Sequence, residues 1–191
     1  MLDFLIKEFG DSQGKLLYES QQKRLSKLLT ETKGKTKRQM KTLTNTIMPR
    51  VALYQILYEN LGSKEISLGV LGKYMAQVGK KMNHTYCKME RIPGFYHLFR
   101  RISIYAVSHS DNWNSEVIRN DKETFQYNIK KCLWFDACIE NNCPELCRCF
   151  CECDNIIYHS LKKVAFSRTG TLALGNECCD FCYQNSKYKA K

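Results

Sequence analysis

The spacing of apolar residues changes once along the chain, near Trp113, and this change limits the folds open to it. Before Trp113, apolar side chains recur every three or four residues, which is the period of an amphipathic helix. After it, Phe125, Tyr127 and Ile129 alternate with polar residues, as in a strand with one buried face. Helices followed by strands predict an α+β fold. We expect a mainly helical N-terminal half, then a small antiparallel sheet with packed helices in the C-terminal half.

Breaks in the helical pattern divide the first half of the chain. Residues 2–31 predict one or two amphipathic helices, and residues 34–45 predict a basic break or a poorly packed helix. Further helices are expected after Pro49, after Ser63 and after Pro93-Gly94. We therefore expect a helical and basic segment over residues 1–45 and an α+β unit over residues 46–191, together forming one continuous globular body.

The second half combines strands with one further helix. A polar turn joins two strands between Val117 and Ile129, and Pro144 begins a helix that continues to about Leu161. The last segment predicts a hairpin, with strands Val164–Leu174 and Cys178–Tyr183 around a Gly175-Asn176 turn.

The net charge of +11 is unevenly distributed, because residues 1–101 carry all of the excess. Its densest part, Lys33–Lys41, has no interleaved aromatic residue and no accompanying nucleic-acid motif, so we interpret it as a solvated surface and expect no nucleic-acid partner. The first residues include acids, unlike a secretory signal, and no apolar run is long enough for a membrane span. We expect a cytoplasmic protein without membrane attachment. A homo-oligomer is compatible with the sequence.

Ten of the eleven cysteines lie between Phe125 and Tyr183. A reducing cytoplasm argues against a disulfide framework. The thiols can then be metal ligands, reactive groups or small buried apolar side chains, and the sequence leaves these alternatives open.

The alternating cysteines from Cys147 to Cys153 separate into two groups if they lie on a helix. At about 100° per residue, Cys147, Cys151 and Asp154 fall along one inward edge of that helix. Cys149 and Cys153 fall on the other edge, where we expect them to be packing residues. An inward carboxyl such as Asp154 is costly unless it is paired or used.

Three cysteines are candidates for one shared site. Cys132, Cys151 and Cys179 are each placed at an element end or on an inward edge, facing one core. Three thiols can hold zinc or another thiophilic metal, although the chain has no second Cys-x-x-Cys and no spaced histidine pair. Arg168 is in line with apolar residues and is expected to reach a rim or to pair with Asp154, Asp180 or a ligand carboxylate.

These residues also carry a resemblance. The chain contains Cys132, then Pro-Glu-Leu-Cys-x-x-Phe-Cys-x-x-Asp ending at Asp154, then Phe-x-Arg-Thr-x-Thr-Leu-Ala-x-Gly-x-x-x-Cys-Asp-Phe from Phe166 to Phe181. This pattern resembles the L-2-amino-thiazoline-4-carboxylic acid hydrolase family, most clearly over residues 113–184. The resemblance implies hydrolysis of a cyclic amidine, in which 2-amino-thiazoline-4-carboxylate opens to N-carbamoyl-cysteine. The surplus cysteines depart from the pattern and keep the metal alternative open.

The implied reaction assigns roles to the matching residues. A thiolate at Cys132, Cys151 or Cys179 attacks the substrate or holds a metal that activates water, and Asp154 or Asp180 moves protons. Arg168 would hold the carboxylate of a small-molecule substrate, with Thr169 and Thr171 beside it. The alternative is a non-catalytic, cysteine-rich module that senses a small molecule or a metal. Thiol redox work is a weaker possibility, because no Cys-x-x-Cys opens a helix in a βαβ context.

Overall fold

The helical period of the first half produces six helices before the first strand. The computed structural model describes residues 1–188. The six helices are α1 (Leu2–Phe9), α2 (Asp11–Glu31), α3 (Lys37–Thr42), α4 (Met48–Leu61), α5 (Lys64–Met89) and α6 (Phe95–Ser108). Within residues 1–188, no helix is both long enough and apolar enough to cross a membrane.

Local sequence signals set the boundaries of these helices. Pro49 lies in the first turn of α4, a position that proline commonly occupies. Gly62 ends α4 in the left-handed conformation with φ 67°, which glycine adopts without strain. Ser63 then caps α5 by accepting a hydrogen bond from the Ile66 amide at 3.3 Å. The predicted helix starts at Pro49 and Ser63 are confirmed.

Residues 34–45, predicted to be a basic break or a poorly packed helix, contain a short helix without buried residues. Thr36 and Gln39 form a reciprocal capping box that starts α3. A single π-helical turn, Leu43–Ile47, then joins α3 to α4. Such turns insert one extra residue per turn and are frequent at functional sites.

The strands form one antiparallel sheet, as the alternating period predicts. They are β1 (Trp113–Asn120), β2 (Thr124–Cys132), β3 (Val164–Ser167) and β4 (Cys179–Asn185), in the spatial order β1-β2-β4-β3. Asp121 closes the β1–β2 turn by accepting hydrogen bonds from the amides of Glu123 and Thr124, each at 2.8 Å.

The predicted C-terminal hairpin is only partly correct. Strand β3 ends at Ser167 instead of Leu174, because the backbone after it turns to bond with the Asp180 side chain. A short 3₁₀ turn, Leu172–Leu174, follows before β4 begins at Cys179. The connection is therefore a loop of side-chain and turn hydrogen bonds.

Two helices pack with the sheet in the second half. Helix α7 (Leu133–Glu140) follows β2 directly and was not predicted. The cysteine-rich segment is helical, as expected: a 3₁₀ turn, Pro144–Leu146, leads into α8 (Cys147–Tyr158), which ends before the predicted Leu161.

The buried apolar residues form two clusters that meet at α8. One cluster joins α1, α2, α4 and α5 to α7 and α8, and the other joins α6 to the sheet. Tyr86 of α5 and Tyr158 of α8 pack against both clusters. Gly79 of α5 lets α8 approach closely, because an added Cβ there would lie 2.9 Å from the Ile156 side chain. This boundary between the clusters contains the candidate site.

Candidate active site

A cavity of about 260 Å³ lies where the two apolar clusters meet. Met75 and Phe150 line it from the helical side, and Ile129 and Phe181 line it from the sheet. Such a volume lies just below the range usual for small-molecule sites, so the cavity suits a compact ligand. Its apolar walls strengthen every electrostatic interaction inside it.

The three candidate cysteines line this one cavity. Cys132 is the last residue of β2 and the N-cap of α7, Cys151 projects from α8, and Cys179 begins β4. The antiparallel register pairs Cys132 with Trp113 and Cys179 with Ile129. Strand ends and a helix edge thus converge on one space, although the residues are far apart in sequence.

All three thiols are held in the protonated form at neutral pH. Burial raises the pKa of Cys132 to about 12, although the amides of Phe135 and Trp134 at the start of α7 partly oppose this. The neighbouring Cys147 thiol and burial raise the pKa of Cys151, and burial raises that of Cys179. The Leu172 amide donates to Cys179 Sγ at 3.3 Å and favours a thiolate there. A nucleophile at any of these positions needs a base to remove its proton.

Asp154 and Arg168 form an ion pair at the cavity wall. Arg168 Nη1 donates to Asp154 Oδ2 at 2.8 Å, and the Arg168 side chain is only 4% exposed. Asp154 keeps 31% of its side chain exposed and lines the cavity. Of the alternatives that the sequence left open for Arg168, the pair with Asp154 is present.

The ionisation of Asp154 is shifted toward neutrality. Burial raises the pKa of its carboxyl to about 6, against the lowering effect of the Arg168 charge. A carboxyl with this pKa is mostly ionised at pH 7, yet remains basic enough to accept a proton. Among the described residues that line the cavity, Asp154 is the single acid.

Arg168 is fixed in place by several contacts. Its Nη2 donates to the Cys151 carbonyl at 2.8 Å, and its guanidinium lies 5.1 Å from the centre of the Phe181 ring. These contacts connect the end of β3 to α8 and to β4. They orient Asp154 toward the cavity and leave Arg168 with less capacity for a substrate carboxylate than the sequence suggested.

Asp180 and Thr169 lie apart from the cavity lining. Asp180 accepts hydrogen bonds from the Thr169 and Gly170 amides, at 3.0 and 2.6 Å. Burial raises the pKa of Asp180, but these bonds and the Thr169 hydroxyl outweigh burial, so the pKa is lowered. Asp180 is therefore placed to hold the loop after Arg168, and a proton-transfer role stays a prediction.

A second depression of about 220 Å³, lined mainly by polar residue types, also borders Arg168. Thr169 and Thr171 line it, together with Arg168 and Cys151, which also line the first cavity. Thr171 is 3% exposed, and its hydroxyl oxygen makes no hydrogen bond within the described residues. Arg168 and Cys151 form the wall between the two spaces.

The structure shows no cluster of metal-ligating side chains among the described residues. Within residues 1–188, no three His, Cys, Asp or Glu side chains are gathered closely enough to hold a metal ion. All eleven cysteines lie in this range and are free thiols. Cys149 is half-buried, whereas Cys153 is buried, donates to the Met75 carbonyl at 3.7 Å and also lines the cavity.

Several cavity residues were not anticipated from the sequence. Trp113 and Trp134 stack with ring centroids 5.5 Å apart, and both line the cavity. Arg50 from α4 lines it as well. Trp113 is the register partner of Cys132, but the alternation alone does not tell which cross-strand neighbour lines a cavity.

A small cavity with several thiols, one carboxyl of raised pKa and a fixed arginine is suited to bind a compact molecule. The profile of the L-2-amino-thiazoline-4-carboxylic acid hydrolase family matches residues 39–183, and the chain belongs to this family. The match includes every candidate site residue. Comparisons with curated proteins and with solved structures gave no significant match.

Proposed function

We propose that this protein hydrolyses a small carboxylated cyclic amidine such as 2-amino-thiazoline-4-carboxylate. The observation that carries the proposal is the Asp154 carboxyl, with a pKa of about 6, in a cavity lined by Cys132, Cys151 and Cys179. Family membership supports hydrolysis, and the cavity supplies a base and candidate nucleophiles for it. The planar amidine of a compact five-membered ring suits a space with aromatic walls.

Cys151 is our candidate nucleophile because it lies one helical turn before Asp154. Residues three apart on a helix are surface neighbours, which supports transfer of the thiol proton to the carboxylate. The thiolate then attacks the ring carbon between nitrogen and sulfur. The ring carbon–sulfur bond breaks, and its sulfur leaves as a thiolate that takes up the proton from Asp154.

Water completes the reaction. It attacks the resulting isothiourea carbon, losing one proton to Asp154, and the bond to Cys151 breaks. Cys151 regains that proton as its thiolate leaves. The sum is one substrate plus one water giving one N-carbamoyl-cysteine, with the enzyme unchanged. Cys132 and Cys179 are the alternative nucleophiles, because backbone amides adjoin each sulfur.

Substitution of single cysteines tests this assignment. N-carbamoyl-cysteine carries a new thiol, so turnover is measured by titrating thiols in the small-molecule fraction after the protein is removed. We expect Cys151→Ala to abolish turnover, with Cys132→Ala and Cys179→Ala retaining part of it. Cys87→Ala is the matched control, since Cys87 does not line the cavity. Full activity in Cys151→Ala would remove that residue as the nucleophile.

Binding without turnover would instead support the sensing module. Zinc or another thiophilic metal is the remaining cofactor alternative, and the metal content of protein purified without chelator tests it directly.

We place the activity in the cytoplasm, because free thiols persist in reducing compartments.

A further inference from the structure

The cavity contains a second arginine, Arg50, whose charge no acid neutralises. Arg50 lies in the first turn of α4, directly after the π-helical turn Leu43–Ile47, and lines the cavity with Thr46. Within residues 1–188, Arg50 makes no ion pair. Since Asp154 is already paired with Arg168, the cavity retains one uncompensated positive charge.

The guanidinium of Arg50 is held by hydrogen bonds at Nη1 and has no hydrogen-bond partner along its Nε–Nη2 edge within the described residues. Its Nη1 donates to the Asn45 and Thr46 carbonyls, each at 2.9 Å, and the group lies 5.8 Å from the centre of the Tyr74 ring. Its Nε is buried and makes no hydrogen bond within the described residues, and its Nη2 makes none either. The Nε and Nη2 hydrogens form the parallel fork that binds a carboxylate through two oxygens.

A buried donor without a partner is costly, so a ligand that satisfies it gains affinity. We propose that Arg50 binds the substrate carboxylate through its Nε–Nη2 edge. This inference rests on the proposed function and assigns the carboxylate to Arg50 instead of Arg168. The two arginines then have separate tasks: Arg50 anchors the anionic end of the substrate, and Arg168 holds Asp154 beside the thiols.

The π-helical turn explains how Arg50 keeps this position. The carbonyls of Asn45 and Thr46 lie in that turn and accept from Arg50 Nη1. Their hydrogen bonds fix the guanidinium plane before any ligand arrives. A pre-oriented fork loses little side-chain freedom on binding, which favours selective recognition of a planar carboxylate.

Two probes that differ only in the carboxylate test this assignment: 2-amino-thiazoline-4-carboxylate and 2-amino-thiazoline. Binding of each is measured by calorimetry with the wild-type protein, Arg50→Met and Arg50→Lys, in the Cys151→Ala background to prevent turnover. We expect the protein with Arg50 intact, in the Cys151→Ala background, to bind the carboxylated probe more tightly than the uncharged one. Arg50→Met should weaken binding of that probe by about 10- to 100-fold, the range for hydrogen bonds to charged groups. Binding of the uncharged probe should not change.

Arg24→Met is the matched control, because Arg24 is also a half-buried helix arginine with polar partners but lies outside the cavity. It should leave both affinities unchanged. Arg50→Lys keeps the positive charge but lacks the two-pronged donor, so it should lose an intermediate amount of affinity for the carboxylated probe. This variant keeps the test valid if Arg50→Met folds poorly. No preference for the carboxylated probe, or an equal loss for both probes in Arg50→Met, would overturn the inference. Binding without turnover in the protein with all cysteines present would contradict the proposed hydrolysis alone.

Discussion

Asp154 is the residue whose protonation should control the activity. Its pKa of about 6 means that the basic form is lost as pH falls through 6. We expect turnover to rise between pH 5 and 7 with a midpoint near 6, and then to level off. Asp154→Asn should lower kcat by about 10²- to 10⁴-fold, the usual contribution of a general base. A pH–rate profile that is flat from pH 5 to 7 would exclude Asp154 from proton transfer.

Arg168 should contribute to stability in a pH-dependent way. Arg168→Ala strands a mostly buried carboxylate, and we expect a loss of about 3 kcal/mol at pH 8, the low end for a broken buried pair because Asp154 is 31% exposed. Without Arg168 the pKa of Asp154 rises further, so at pH 5 the carboxyl is neutral and the loss shrinks. Urea unfolding at the two pH values measures this difference, and an equal loss at both would contradict the pairing account.

For individual residues, the sequence predicted which charged side chains lie among apolar ones but not which partner each of them binds. Helical spacing placed Cys151 and Asp154 on one inward edge, and both line the cavity. Alternation left Arg168 with several acids to choose from. Arg50 was missed, because its position depends on the packing of α4 against elements distant in sequence.

The elements of the second half show where pattern reasoning succeeds and fails. The alternating cysteines of α8 are compatible with a strand as well as with a helix. The apolar residues Leu146, Phe150 and Ile157 recur with the helical period and correctly predicted the helix. The stretch after Ser167 was predicted to continue the strand to Leu174, yet it leaves the sheet, because Asp180 supplies side-chain acceptors for the Thr169 and Gly170 amides. A local sequence pattern does not show whether the backbone amides will bond to a neighbouring strand or to a side chain.

The Asp180 contacts should determine how firmly the loop after β3 holds Arg168. Asp180→Ala leaves two backbone amides and one hydroxyl without their acceptor, and we expect a loss of about 1–3 kcal/mol in unfolding free energy. Asp180→Asn keeps one acceptor oxygen and should lose less. If Asp180 acts only through the loop, both variants keep the acidic midpoint of the pH–rate profile, whereas a shifted midpoint would indicate a direct role in proton transfer.

The site forms only when the whole chain is folded, because it lies between the helical cluster and the sheet cluster. Its residues come from the π-helical turn, from α4, α5, α7 and α8, from the segment after β3 and from three of the four strands. The order of helices and strands predicted the architecture, but the space between the two clusters depends on how closely α5 approaches α8. Gly79 permits that close approach, because an added Cβ would lie 2.9 Å from the Ile156 side chain and 3.2 Å from the Cys153 sulfur.

Gly79→Ala therefore tests whether this helix contact maintains the site. Alanine normally stabilises a helix by about 1 kcal/mol relative to glycine, and Gly69→Ala on the same helix, where an added Cβ meets nothing within 4 Å, should show that gain. At Gly79 the overlap with Ile156 and Cys153 should reverse it, with a net loss of about 1–3 kcal/mol from overpacking. Displacement of α8 would also move Cys151 and Asp154, so we expect reduced turnover in Gly79→Ala but not in Gly69→Ala. Equal melting temperatures and equal turnover in the two variants would show that the α5–α8 distance does not control the cavity.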